Sequence, residues 1–127
     1  MNPIISHIVA WLKDYQEKAN VDGFIVGVSG GVDSALTSKL CAMTGAKVIL
    51  LNMPIRQTTA EYQRAHEHME DLKNRFPNVQ SFEIPLTGVF SEFEAIMPFD
   101  CSDQALSMAN SRSRLRMMTL YAIGQAN

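Results

Sequence analysis

Ile4, Ile5, Ile8, Val9, Leu12 and Tyr15 recur at helical spacing and predict an amphipathic helix from about Pro3 to Lys18. Pro3 suits its first turn, and Trp11 reads as a packing residue on it. A short apolar run then predicts a first strand, Phe24 to Val28, followed by a helix from Ser34 to Met43 that ends at Gly45. Lys47 to Met53 predicts a second strand. Its unbroken apolar middle calls for burial on both faces, as in a parallel sheet. Thr58 or Thr59 opens a long polar helix that runs to about Arg75 and stops before Pro77. Val79 to Ile84 predicts a third strand whose weaker pattern suits a sheet edge, and Thr87 to Ile96 a short helix. Finally, Ser102-Asp103-Gln104 opens a helix to about Ile123, with Gly124 as its stop. Strands alternating with helices argue for a doubly wound α/β sheet, with ligands at the carboxyl ends of its strands.

Composition adds bounds. A length of 127 residues suits one domain, with room for a real core. With 46% hydrophobic and 19% charged residues the chain reads as a globular domain. No apolar run reaches membrane length, and Lys13 and Asp14 interrupt any signal-peptide profile, so a cytoplasmic protein without membrane attachment is expected. Cys41 and Cys101 match no metal or redox spacing and read as two reduced thiols. The net charge of −2 does not announce a nucleic-acid binder. That average conceals an asymmetry. Residues 1–103 carry eight Lys/Arg against all thirteen Asp/Glu, a net −5, whereas residues 104–127 carry Arg112, Arg114 and Arg116 and no acid, a net +3. These arginines lack carboxylates at helical i±3 or i±4 positions, so they need an external anion or an acidic patch brought up by folding.

The chemistry concentrates in Gly27-Val28-Ser29-Gly30-Gly31-Val32-Asp33-Ser34, between the first strand and its helix. A glycine-rich turn there aims free backbone N–H groups and the positive end of the helix dipole at one point, an anion site usually filled by phosphate. A Walker A loop needs Gly and Lys where Val32 and Asp33 stand, and the dinucleotide pattern needs glycine where Ser29 stands. The serine-hydrolase elbow G-x-S-x-G does match at Gly27 to Gly31 and predicts labelling of Ser29 by a fluorophosphonate. It also needs a later acid and histidine on separate strands, whereas His66 and His68 follow soon after in a polar helix-like segment. Being two apart on a helix, they face different sides and make a poor metal pair. His7 reads as a surface or satisfied residue, and Met117, Met118 and Leu120 as packing against the sheet or a partner subunit.

What remains, S-G-G-x-D-S, resembles the pyrophosphate loop of the ATP pyrophosphatases, a Rossmann-like family that cuts ATP between its α and β phosphates. Elementary chemistry agrees. Ser29 and Ser34 offer hydroxyls, Gly30 and Gly31 permit close backbone approach, and Asp33 offers a hard oxygen to Mg²⁺. Helix capping is the plain alternative for Asp33 and Ser34. A second stretch, Asn110-Ser111-Arg112-Ser113-Arg114-Leu115-Arg116-Met117, resembles the N-x-x-A-R-x-R-M pattern of the ammonia-dependent NAD synthetases, with Ser113 in place of alanine. Tyr121-Ala122-Ile123-Gly124 is similar to that family too, and Asn52-Met53-Pro54-Ile55-Arg56-Gln57 looks like its adenosine-facing loop.

The resemblance implies that Gly27 to Ser34 hold ATP, that Asp33 ligates Mg²⁺, and that Arg114 contacts deamido-NAD. Arg112 and Arg116 read as a solvated or interface-facing basic ridge, and Arg56 or Gln57 as weaker candidates near adenine. It implies two steps: the substrate carboxylate attacks the α-phosphorus and pyrophosphate leaves, then ammonia displaces AMP from the acyl-adenylate. No side-chain nucleophile is needed. A homodimer is expected, with the last helix near its interface. GMP synthetase is a near rival within the superfamily, and a noncatalytic nucleotide-binding or dimerisation module a more distant one. Since the family runs to about twice this length, residues 1–127 are expected to form one domain that is the N-terminal part of a longer one, truncated after the third strand and its following helix. The first strand would then keep an open hydrogen-bonding edge.

Overall fold

A computed structural model describes residues 2–127. Helix α1 (Pro3–Lys18) precedes β1 (Gly23–Gly27), α2 (Val32–Met43), β2 (Lys47–Asn52), α3 (Thr59–Arg75), β3 (Val79–Glu83), α4 (Thr87–Ala95), a 3₁₀ turn (Cys101–Asp103) and α5 (Ala105–Ala126). The strands form one parallel sheet in the order β1-β2-β3. Each predicted strand is present, shifted at its ends by a residue or so, and β3 lies at an edge as its weak pattern suggested. So does β1.

Alternation along the strands sorts side chains onto two faces. Val48 and Leu50 of β2, with Phe24 and Val26 of β1, join the layer under α2 and α3 that holds Cys41, Ala42, Ala65, Met69 and Leu72. Ile49 and Leu51, with Ile25, join the opposite layer of Met53, Ile55, Leu86, Phe90 and Met108 under α4 and α5. The middle of β2, Val48 to Leu51, is thus unbroken apolar because neither face meets water there. Burial pushes the Cys41 thiol up to about 11, and both cysteines are free.

Local signals account for the element ends. Thr58 accepts a hydrogen bond from the N–H of Glu61 and caps α3, while Gly45 takes φ +81° just past α2. Gly23 has a steric reason to be glycine, since a Cβ there would lie 1.8 Å from the Lys47 carbonyl oxygen across the β1–β2 pair.

Two expectations fail. Gly124 does not stop the last helix, which continues to Ala126. A glycine inside a helix costs only about 1 kcal/mol relative to alanine, which the preceding turns of α5 absorb. Gly124 also lies where α5 passes over Ile25. Trp11 is not packed into the core: it is 58% exposed and stacks on Tyr15 with ring centroids 5.5 Å apart. Helix α1 meets the body through α2 and Leu12, so its Trp11–Tyr15 face looks outward.

Candidate functional site

The glycine-rich turn leaves β1 at its carboxyl end, tied to β2 by a 2.8 Å hydrogen bond from the N–H of Val28 to the Leu51 carbonyl. The Ser34 hydroxyl accepts from the Ser29 N–H at 3.1 Å, lies 3.1 Å from the Ser29 hydroxyl and donates to the Gly31 carbonyl at 3.3 Å. Ser29 Oγ in turn accepts from the Gly31 N–H. The two serines therefore cross-link the turn from within. Gly31 caps α2 but offers no side chain, so the first-turn N–H groups keep no side-chain cap and stay available to an anion.

Gly30 decides the shape of the turn. Its φ is +87°, and a Cβ would sit 2.6 Å from the Glu61 carbonyl oxygen of α3. The Gly30 carbonyl accepts a 3.2 Å hydrogen bond from Arg64 Nε. Asp33 lies exposed in the first turn of α2. Val32 is exposed as well. Among the described residues Ser29 has no histidine partner. His66 stacks near Tyr62, while His68 Nε2 meets the buried Ser38 hydroxyl at 2.8 Å. Burial pushes the His68 imidazole below its usual value.

A cleft of about 500 Å³ opens in front of the turn, walled by Ser29, Gly30 and Gly31, by residues 55–58 after β2, and by Glu61, Arg64 and Arg116. Arg116 reaches it from α5, donating from Nε to the Met53 carbonyl at 3.1 Å. Half-buried there, beside Arg112, it is pushed below the usual guanidinium range chiefly by desolvation. The basic-ridge reading therefore does not describe Arg116. Arg112 lies over the Phe90 ring at 5.7 Å. Arg114 does not line this cleft; it lies along a separate apolar groove with Val89, Phe90, Phe93, Leu115 and Met118. Arg56, with φ +52°, is committed elsewhere: its guanidinium pairs with Glu94 and donates to Ser91 Oγ at 3.0 Å. That pairing holds the Glu94 carboxyl below the usual carboxylate range. Among the described residues, the buried amide oxygens of Asn52 and Gln57 have no donor.

The sequence pointed to the turn but missed Arg64 and Arg116. Arg64 precedes the buried Ala65 on α3, which places it at the rim of the covered face. Arg114 and Arg116 lie two residues apart on a helix and so face nearly opposite ways, and apolar residues flank Arg116 on both sides.

The chain matches the family described as NAD synthase over residues 4–127. It belongs to the NAD synthase family. An ammonia-dependent NAD(+) synthetase of Mesoplasma florum is 30% identical over 97% of this chain and 49% of its own length. One from Methanosarcina acetivorans is 33% identical over 91% and 45%. The structure of an NMN synthetase from Francisella tularensis superposes with a TM-score of 0.81 at 31% identity, covering 96% of this chain and 49% of that one. The fold also matches an ammonia-dependent NAD synthetase of Campylobacter jejuni, in complex with nitrate, at a TM-score of 0.83 and 24% identity, over 99% and 53%. The chain thus spans about half the length of the family members it matches. No helix among the described residues is long and apolar enough to cross a membrane.

Proposed function

We propose that this chain supplies the ATP-binding part of an enzyme that amidates deamido-NAD with ammonia, giving NAD, AMP and pyrophosphate. The carrying observation is the turn Gly27 to Ser34, whose uncapped helix start and internally braced serines face a cationic cleft in a chain of the NAD synthase family. The substrate carboxylate attacks the α-phosphorus, pyrophosphate departs into the turn, and ammonia then displaces AMP from the acyl-adenylate. The turn's N–H groups stabilise charge that builds on the phosphate oxygens, so Ser29 and Ser34 bind rather than become acylated.

Asp33 would hold Mg²⁺. The fit is chemical: its carboxylate is exposed beside the turn, and no cluster of three or more His, Cys, Asp or Glu among the described residues forms an all-protein cage. One or two carboxylates completed by phosphate oxygens is the usual Mg²⁺ arrangement, and the ion would supply charge neutralisation. The unpaired amide oxygens of Asn52 and Gln57 suit a base that carries an exocyclic amine, as adenine does. Arg114, with its five donors over an apolar groove, suits an anionic group on a flat ring, in keeping with a role for deamido-NAD. The exposed Met117, Met118 and Tyr121 of α5 suit a homodimer interface.

The 31% identity to an NMN synthetase favours a second reading, in which the acceptor is the corresponding nicotinate mononucleotide. Supplying Mg-ATP and ammonia with either acceptor, and following pyrophosphate and amide product, separates the two. Absence of magnesium-dependent heat when a nonhydrolysable ATP analogue is titrated into the chain would defeat both.

A further inference from the structure

The cleft in front of the turn contains three guanidinium groups and one carboxylate, Glu61. Arg56 is neutralised by Glu94. Arg64 and Arg116 are not: among the described residues neither has a carboxylate within ion-pairing distance. Each spends its Nε on a main-chain carbonyl, Gly30 for Arg64 and Met53 for Arg116. Anchoring the guanidinium by its inner nitrogen fixes the plane of the fork, and among the described residues the terminal N–H groups have no acceptor. Arg116 is, in addition, drawn into a half-buried position, where an unneutralised charge is costly. Two anchored, unpaired forks beside Ser29, Gly30 and Gly31 make a site for a dianionic or trianionic phosphate group.

We infer that Arg64 and Arg116 form a clamp on the β and γ phosphates of ATP and hold the departing pyrophosphate, an inference that rests on the nucleotide reading above. Arg64 approaches from α3 and Arg116 from α5, so the clamp spans the two helices that flank the turn from opposite faces of the sheet. In the adenylation step the bond between the α-phosphorus and its bridging oxygen breaks while the substrate carboxylate bonds to the α-phosphorus. The electron pair stays on pyrophosphate, whose charge grows where the two forks converge. Neither arginine accepts or gives a proton.

The test titrates Mg-ATP analogue, inorganic pyrophosphate with Mg²⁺, and AMP into the chain and into Arg64→Gln, Arg116→Gln and Arg116→Lys. The clamp predicts that each Gln variant weakens triphosphate and pyrophosphate binding about tenfold and leaves AMP unchanged, since a charged hydrogen bond is lost only at the far phosphates. Arg116→Lys, which keeps the charge but not the fork, falls between. Arg64→Gln guards against a folding defect, because Arg64 is exposed whereas Arg116 helps seat α5. Pyrophosphate binding unchanged in both Gln variants overturns the clamp alone, and equal losses for AMP and pyrophosphate overturn it in favour of general damage to the cleft. A parent chain that binds neither triphosphate nor pyrophosphate overturns the nucleotide reading and the clamp with it.

Discussion

The two faces of the sheet are buried to similar depth, yet α3 on one side and α4 and α5 on the other present opposite outer surfaces. Above α2 and α3, the outermost side chains of α3 are charged and pair along the helix, as in Lys73–Glu70 and Arg75–Asp71. Beyond α4 and α5 the outermost side chains include Val89, Ile96, Leu106 at 77% exposure, Met118 and Tyr121. A polar outer surface is content in water. An apolar one lowers its free energy when something covers it. The exterior of α3 therefore has the finish of a solvated surface, whereas that of α4 and α5, like the Trp11–Tyr15 side of α1, is a surface awaiting contact. The cleft before the glycine turn draws on both, with Arg64 from one side and Arg116 from the other.

The largest effects are expected from the core on either side of the sheet. Phe90→Ala under α4 and Leu50→Ala under α2 and α3 are each expected to cost about 2–5 kcal/mol in urea unfolding, because both side chains are fully enclosed. A Phe90 cost well below that of Leu50 would show the second face to be loosely packed. Gly30→Ala comes next, at about 1–2 kcal/mol from the left-handed backbone alone, with more from the Glu61 carbonyl. Calorimetry should then find triphosphate binding abolished, and retained affinity would mean that the turn adapts. Thr58→Ala should remove about 1 kcal/mol through the lost α3 cap, seen as a lower urea midpoint.

Acid should act on the first face through His68. Its imidazole is depressed by burial, and the nearby Asp71 and Lys39 charges oppose one another. The folded state therefore binds fewer protons than the unfolded one near the ordinary imidazole range, and stability falls as pH drops through that range. Urea midpoints for His68→Gln should show a flatter slope there, and identical slopes would remove His68 from the account. The smallest effect belongs to the apolar outer surface: Leu106→Ser should change the chain's stability by no more than about 0.5 kcal/mol. If the proposed homodimer forms through α5, Met118→Lys with Tyr121→Lys should reduce self-association in sedimentation. Unchanged sedimentation would argue against α5 as the contact.

Much of this architecture was legible from residue order. The all-apolar middle of β2, the threonine opening α3 and the glycine after α2 each act within a few residues, and each does what its local chemistry dictates. The turn was legible for the same reason. Arg116 was not, because which side of α5 meets the cleft depends on how the helix docks, and apolar side chains around it leave that choice to tertiary packing. The Ser38–His68 contact spans 30 residues and joins two helices, so no spacing rule foretold it. Trp11 misled because an amphipathic pattern does not say which helices receive a second neighbour.

Gly30 shares its conformation with a carbonyl and an arginine that belong to α3. An engineer who grafted the eight-residue segment onto another β–α junction would transplant the letters without the mould. The portable unit runs from β1 through the first two turns of α3, with β2 as its spine, and any chimaera that swaps α3 alone should be screened for nucleotide affinity as well as for yield.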